Sequence, residues 1–443
     1  MIKCGNAIRV VLTVIVVGIA GVGAGCGGGP PPLMPTPNLY AKSGVDPFPD
    51  VPPALQNNRV EVMYVTDRAP EKGKDGKPTS PDHANYGTGR SRSTAFGVAE
   101  MQIGKEDLSW DELVQASRSA KRKKKLDLTV VSARELARFA PTPPKLILSD
   151  EELTHGHATT TTDPAQQEAE KKFIAELTAR LAKTPRKEVF LFIHGHNVGF
   201  HGGIFNIGEL WHFLGREGVP MSYSWPAGQG MLRAYGYSEQ STRFTIFHLK
   251  QTLRLIASCP AVEKVNIIAH SRGTAVTSDA VRELVIEIRG TANPQKTLKL
   301  GTAVLAAGDI DIDVVFAQNV AERDDQGVER TALYISEKDD ALGISKWLTG
   351  GSGRLGSMDA KLLSKDEIKT LRHSRKLQII DADVKSLGSF GHSYFLDSPE
   401  VTSDLILLLR YQLPPGGDGR PLGVSDRGFW IINDGYPGKI TAP

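Results

Sequence analysis

A serine between two small residues is the position in this sequence best suited to covalent chemistry. Ser271 follows an apolar run at residues 265–268 that predicts a strand, and it precedes a helical pattern at residues 274–288. A nucleophilic serine at a sharp strand-to-helix turn needs small neighbours two residues away, and Ala269 and Gly273 meet that need. Backbone N–H groups at the start of the helix would favour a developing anion. The pattern therefore predicts a nucleophile elbow at Ser271.

A base and an acid follow this serine in the chain order serine, acid, histidine. His392 lies in a glycine-flanked loop before the last predicted helix. Asp339 and Asp340 directly follow one predicted strand, and Asp309 follows the preceding strand. A neutral histidine can accept the serine proton, and a carboxylate can fix the tautomer of that histidine. We predict a Ser271–Asp339–His392 triad, with Asp309 and Asp340 as alternative acids.

A turn with two histidines, at residues 194–197, is the candidate for an oxyanion hole. It closes a predicted buried strand at residues 189–193. Hydrolases with a nucleophile elbow combine one backbone N–H from such a turn with the N–H of the residue after the nucleophile. We therefore predict His196 or Asn197 as one donor and Arg272 as the other. The alternatives are a simple tight turn with a hydrogen-bonded histidine, or a metal site on the two histidines, which lacks further ligands at zinc-like spacing.

Alternating strands and helices must position these residues. Continuous apolar runs indicate strands that are buried on both faces of a parallel sheet, and helical patterns separate them. The predicted fold class is α/β, with a doubly wound, mostly parallel sheet and an N-terminal extension. Strands are predicted at residues 60–65, 94–103, 189–193, 221–226, 265–269, 300–307, 331–336 and 377–380, and helices at 166–183, 204–217, 238–258, 274–288 and 401–411.

The first residues predict export. Lys3 and Arg9 precede an apolar run at residues 10–22, and small residues then lead to Cys26. This order is typical of a secretory signal, and a cysteine after small residues resembles a bacterial lipoprotein cleavage site. We predict a cell-envelope protein that is anchored to a membrane by acyl chains on Cys26. Plain secretion and an uncleaved signal anchor are the alternatives.

The domain boundaries follow from these patterns and from composition. Glycine and proline dominate residues 27–57, which predicts a linker without a packed core. The predicted division is a signal peptide at 1–26, the linker at 27–57, N-terminal strands with an insertion at 58–165, the α/β core at 166–413 and a C-terminal tail at 414–443.

Composition and charge exclude several classes of function. The 53 Lys and Arg residues nearly balance the 50 Asp and Glu residues, so no nucleic acid is expected as a partner. Three cysteines are too few for a disulfide scaffold. No glycine-rich phosphate loop is present, and no cofactor or metal is expected. The basic run at residues 121–125 predicts a solvated surface, with contact to anionic lipid as the alternative. The sequence does not set the oligomeric state.

The chain resembles the α/β-hydrolase superfamily and, within it, a bacterial family of unknown function. The resemblance covers about residues 60–411 and implies the α/β-hydrolase fold with the triad above, but no substrate. Arg272 and His196 differ from the residues that the family often has there, so we expect them to affect substrate preference. The matching segments are residues 64–68, 96–98, 194–197, 224–226, 268–271, 305–307, 309–311 and 391–395.

The predicted function is that of a serine hydrolase that cleaves a small-molecule acyl ester through an acyl-enzyme, in the manner of an esterase or lipase. A peptidase or amidase would use the same residues, because they do not specify the leaving group. A membrane-tethered binding or scaffold protein is the second class, since fold alone does not fix function. An acyltransferase that excludes water is the third.

Overall fold

One eleven-stranded sheet forms the centre of the molecule in the computed structural model. The structure describes residues 29–73, 76–142, 163–230, 232–290, 292–349, 353–359, 361, 363–374, 376–385 and 391–440. The strands are β1 (Arg59–Pro70), β2 (Tyr86–Ile103), β3 (Leu128–Arg138), β4 (Glu188–Ile193), β5 (Val219–Ser224), β6 (Lys264–His270), β7 (Leu300–Ala306), β8 (Val328–Ile335), β9 (Leu377–Asp383), β10 (Gly423–Val424) and β11 (Trp430–Asn433).

The sheet is mostly parallel, which confirms the predicted fold class. Its order is β10-β11-β9-β8-β7-β6-β4-β5-β1-β2-β3. Every neighbouring pair from β11 to β1 is parallel, whereas the outer pairs β10–β11, β1–β2 and β2–β3 are antiparallel. The chain proceeds from β4 to β5 in one direction and from β6 to β9 in the other. A switch point therefore lies between β4 and β6, where α/β proteins bind ligands at the carboxyl ends of the strands.

Helices cover both faces of the sheet. They are α1 (Asn38–Ala41), α2 (Trp110–Ser117), α3 (Pro164–Ala182), α4 (Phe200–Phe213), α5 (Leu232–Ser258), α6 (Arg272–Ile288), α7 (Pro294–Leu298), α8 (Ile312–Val314), α9 (Asp340–Thr349), α10 (Lys365–His373), α11 (Tyr394–Asp397) and α12 (Pro399–Leu409). Buried side chains of α4 and α12 pack on one face, and those of α3, α5 and α6 pack on the other.

Strand β4 shows why its sequence is a continuous apolar run. Phe190 and Phe192 belong to the core on the α4 side, whereas Val189, Leu191 and Ile193 belong to the core on the α5 side. Successive side chains of a strand point to opposite faces, so a strand between two helical layers is apolar at every position.

The glycine- and proline-rich segment after residue 29 is packed, and the prediction of an unpacked linker is wrong there. The backbone N–H of Leu33 donates to the carbonyl of Leu126 (2.7 Å), and the hydroxyl of Tyr40 donates to the carbonyl of Phe213 (2.7 Å). The apolar residues between its prolines are buried against α4 and α12. The buried apolar residues of the segment include Leu33, Met34, Leu39, Tyr40, Val45, Phe48 and Val51.

The predicted C-terminal tail extends the sheet. Strand β11 pairs in parallel with β9. The hydroxyl of Tyr436 donates to Asp404 Oδ1 (2.7 Å), and the buried Arg420 lies 2.7 Å from Asp404 Oδ2. Strand β11 has only four residues, too few for a clear periodic signal.

The predicted signal peptide and Cys26 lie outside the described residues, which begin at residue 29. Within the described ranges, no helix combines the length and the apolar character that a membrane crossing requires.

Candidate active site

Ser271 lies between β6 and α6 with a strained backbone. Its φ is 53° and its ψ is −125°, which places it in the half of conformational space that non-glycine residues rarely occupy. A Cβ at Gly273 would collide with the carbonyl oxygens of Ile193 and His194 at the end of β4. A Cβ at Gly195 would lie 2.7 Å from Ser271 Cβ. The two glycines therefore let the turn after β4 approach the serine, as an elbow beside an oxyanion hole requires.

His392 and Asp339 form a buried pair at the same edge of the sheet. The Nδ1 atom of His392 lies 2.8 Å from Asp339 Oδ2 and 3.0 Å from Oδ1. Asp339 follows β8, and His392 lies between β9 and α11. His270, the residue before Ser271, brings this loop to the serine, because its Nε2 lies 3.1 Å from the carbonyl oxygen of His392. With Nδ1 bound to the acid, Nε2 of His392 can act toward a substrate or nucleophile.

The pKa of His392 is raised, whereas that of the neighbouring His270 is lowered. Burial alone would lower the pKa of His392, but the Asp339 carboxylate outweighs this effect and raises it. Burial, with the neighbouring His392, lowers the pKa of His270 to about 3, so His270 is neutral near pH 7. Of the two, only His392 has a carboxylate partner that stabilises its protonated form.

The turn at residues 194–197 favours one of the two predicted oxyanion donors. The backbone N–H of Asn197 donates to the carbonyl of Gly228 (3.2 Å), so this N–H is already engaged and Asn197 is the poorer choice. The ring of His196 contacts Ser238 Oγ through Nδ1 (2.8 Å), which draws the side chain away from the turn. The backbone N–H of His196 remains a candidate. The backbone N–H of Arg272 is the second candidate donor, because an N–H in the first turn of a helix has no partner within the helix.

Asp309, the alternative acid, contacts arginines instead of His392. Its carboxylate lies 3.3 Å from Arg272 Nε and 3.4 Å from Arg354 Nε, and it accepts hydrogen bonds from Ser345 (2.6 Å) and Tyr235 (3.0 Å). Burial alone would raise the pKa of Asp309, but the two guanidinium groups outweigh it and lower the pKa. Asp309 therefore fixes the Arg272 side chain beside the elbow. The other alternative, Asp340, is exposed at the start of α9.

His194 is a buried residue whose ring contacts other core side chains. Arg68 Nη2 lies 3.2 Å from its Nε2, and its Nδ1 lies 2.8 Å from the carbonyl oxygen of Gly195. Its ring stacks on Trp225, with 5.4 Å between the ring centroids. Because arginine can only donate, Nε2 accepts and Nδ1 donates. Within the described part of the chain, no group of three His, Cys, Asp or Glu side chains could hold a metal ion.

A cavity of about 710 Å³ opens beside these residues. His196, Asn197, His270 and His392 line it, together with residues 31–36 of the N-terminal segment. Sequence reasoning missed this cavity, because one of its walls comes from the segment that was expected to be unpacked. The apolar residues between the prolines of that segment were the available signal.

Comparison with known families agrees with the resemblance. A family model described as "Alpha/beta hydrolase of unknown function (DUF900)" matches residues 168–410, more than half of the 443-residue chain. The matched range includes Ser271, Asp339 and His392. No match was found among the curated proteins.

Proposed function

We propose that this chain, which belongs to that α/β-hydrolase family of unknown function, is a serine hydrolase that cleaves carboxylic esters through an acyl-enzyme. One observation carries the proposal. The strained Ser271 and the buried Asp339–His392 pair lie at the same edge of the sheet, joined by the 3.1 Å contact between His270 and His392. Backbone strain at a single polar residue costs about 1–3 kcal/mol and tends to occur at functional sites.

The proposed reaction has two halves. His392 Nε2 accepts the proton of Ser271 as Oγ attacks the ester carbonyl, while Asp339 stabilises the imidazolium through Nδ1. The backbone N–H groups of His196 and Arg272 stabilise the oxyanion. His392 then donates the proton to the leaving alcohol, and the acyl group stays on Ser271. His392 then deprotonates a water molecule that attacks the acyl-enzyme. It returns this proton to Ser271 Oγ as the acid is released.

Hydrolysis of an ester panel tests this proposal. p-Nitrophenyl esters of increasing acyl length are given to the purified protein, to Ser271→Ala and to Ser278→Ala, which changes another buried serine of α6. We expect turnover by the wild type and Ser278→Ala and none by Ser271→Ala, although all three fold. Equal turnover by Ser271→Ala would overturn the proposal. An added acceptor alcohol separates the hydrolase, which releases acid, from an acyltransferase, which forms a new ester.

We further propose that the protein is exported and held at a membrane by acyl chains on Cys26. Pro31 already lines the cavity beside His392. The five Cα–Cα steps from Cys26 to Pro31 can span at most about 18 Å. An anchor on Cys26 would therefore bring the cavity near the bilayer surface. An unpacked linker to residue 57 would have let the cavity lie farther from the bilayer. Loss of lipid labelling in Cys26→Ser is the expected result, and unchanged labelling would contradict it.

A further inference from the structure

The cavity beside His392 is also lined by three cations, Arg122, Lys124 and Lys125, which we call the basic rim. Arg122 lies 5.9 Å from the ring of Phe213, the last residue of α4, whereas His196 precedes the first residue of that helix. The three cations belong to the basic run at residues 121–125, which the sequence predicted to be a solvated surface. The neighbouring Lys123 is exposed and is not part of the cavity lining. The fold therefore directs part of the basic run into the cavity that holds His392.

Part of the cavity wall is apolar. Leu33, Met34, Leu126, Val198 and Phe395 contribute to it. The N-terminal segment is fixed in this wall by the hydrogen bond from Leu33 N to the carbonyl of Leu126 (2.7 Å). The cavity volume of about 710 Å³ lies within the usual range for small-molecule sites. A ligand in this cavity can contact His392, apolar side chains and the cations of the basic rim.

The cations of the rim are only partly compensated. Lys125 Nζ lies 2.9 Å from Asp127 Oδ1, so this lysine has a counter-charge. Arg122 donates to the carbonyl of Leu33 (2.7 Å), which orients the guanidinium without neutralising it. Lys124 is exposed at the rim.

Two carboxyl groups, Glu209 and Asp397, also line the cavity. Burial raises the pKa of Glu209 to about 8 and that of Asp397 to about 6. Burial therefore favours the neutral form of Glu209 at pH 7. Because Lys125 is paired with Asp127, Arg122 and Lys124 remain against the single charge of Asp397, and the cavity lining has a small net positive charge.

We propose that the substrate of this site is an acyl ester that also carries an anionic group. The ester lies at Ser271, the apolar part lies along the N-terminal segment, and the anion lies at Arg122 and Lys124. This inference rests on the proposed hydrolase function and names the substrate class of that site. The anion could belong to a lipid headgroup or to a free acyl ester, and the chemistry that recognises it is the same.

Two esters with acyl groups of equal carbon number test the inference. Mono-p-nitrophenyl suberate carries a terminal carboxylate, and p-nitrophenyl octanoate does not. We expect the wild type to have a higher kcat/KM for the suberate. Lys124→Glu should lower the ratio of the two kcat/KM values about tenfold, because it reverses a charge close to the anion. Lys123→Glu makes the same change of charge outside the cavity and should leave the ratio within about twofold, since exposed and more distant charges are screened.

Vesicles distinguish the two sources of the anion. Release of fatty acid from phosphatidylglycerol vesicles but not from phosphatidylcholine vesicles, with the same dependence on Lys124, identifies a lipid headgroup. Turnover of the suberate alone identifies a free ester. An equal or lower kcat/KM for the suberate, or equal effects of Lys124→Glu and Lys123→Glu, would overturn the inference and leave the hydrolase function standing. Absence of any turnover that depends on Ser271 would overturn both.

Discussion

Two buried histidine–aspartate pairs have nearly the same geometry in this protein but occupy different settings. His392 Nδ1 lies 2.8 Å from Asp339 Oδ2, and His248 Nδ1 lies 2.9 Å from Asp67 Oδ2. Both carboxylates are fully buried. His248 lies within helix α5, and Asp67 also accepts a hydrogen bond from Thr245 Oγ1 (2.6 Å). A buried hydrogen-bonded pair alone therefore does not define a catalytic site.

The surroundings separate the two pairs. The loop of His392 contacts the residue before Ser271 and lines the cavity of about 710 Å³. His248 lines a smaller cavity of about 290 Å³. Among the described residues, Ser271 is the only serine with a positive φ. The first pair lies where loops after several parallel strands converge, and the second joins a strand to a helix that covers the sheet. Position relative to the switch point therefore distinguishes the candidate catalytic pair, Asp339–His392, from the packing pair, Asp67–His248.

Replacement of the acid in the first pair should have the largest effect. Asp339→Asn keeps the shape of the side chain but favours the wrong tautomer of His392, so kcat should fall by about 10⁴-fold. Ester turnover at saturating substrate measures this change. A loss of less than about tenfold would mean that Asp339 does not orient the base.

The pH dependence of kcat/KM should report the first pair and not the second. Protonated His392 cannot accept the serine proton, so kcat/KM should fall about tenfold for each pH unit below the pKa of His392. Because Asp339 raises that pKa, the midpoint should lie above the ordinary histidine value of 6.5. Asp339→Asn should lower the midpoint, and Asp67→Asn should leave it unchanged. A midpoint that moves with Asp67 would contradict the assignment.

Asp309→Asn tests the alternative acid. It removes the carboxylate that Arg354 and Arg272 share. Arg272 keeps Glu239 at 3.0 Å, but the buried Arg354 loses its partner, and we expect the free energy of unfolding to fall by about 3 kcal/mol. Turnover should fall by about ten- to a hundredfold, through displacement of groups near the elbow. Chemical denaturation and ester kinetics measure the two effects. A greater loss of turnover than for Asp339→Asn would make Asp309 the acid.

Asp67→Asn should have the smallest effect on turnover. It weakens the hydrogen bonds from His248 and Thr245 in the core, so the free energy of unfolding should fall by about 1–3 kcal/mol. Turnover per folded molecule should stay within about twofold of the wild type, because the hydrogen bonds of Asp67 go to Tyr223, Thr245 and His248, which are outside the proposed triad. Thermal unfolding, with kinetics below the transition, checks both. A loss of several orders of magnitude would give the second pair a catalytic role.

The sequence predicted most of the central sheet and the elbow, because these depend on local patterns. The run in β4 is apolar because both faces of the strand are buried. Gly273, two residues after Ser271, is small because the end of β4 approaches it closely. The sequence favoured Asp339 but left Asp309 as an alternative acid, since both come after strands and only the folded loops decide which faces His392. The pair of Asp67 and His248 has no local signal at all.

The walls of the cavity were the least predictable part. Proline and glycine in residues 27–57 indicated a linker without a packed core, whereas the described part of it, from residue 29, is packed. Whether such a segment is solvated or packed depends on the surface that it meets. That surface comes from α4, α12 and residues 120–126, which lie far away in the sequence.

Identification of the residue that a fluorophosphonate modifies tests the central claim most directly. The reagent phosphonylates an activated serine, and mass spectrometry of the digested protein locates the adduct. We predict a single adduct on Ser271, formed much more slowly in Asp339→Asn and at the wild-type rate in Asp67→Asn. An adduct on another residue, or none on Ser271 in the folded wild-type protein, would contradict the account.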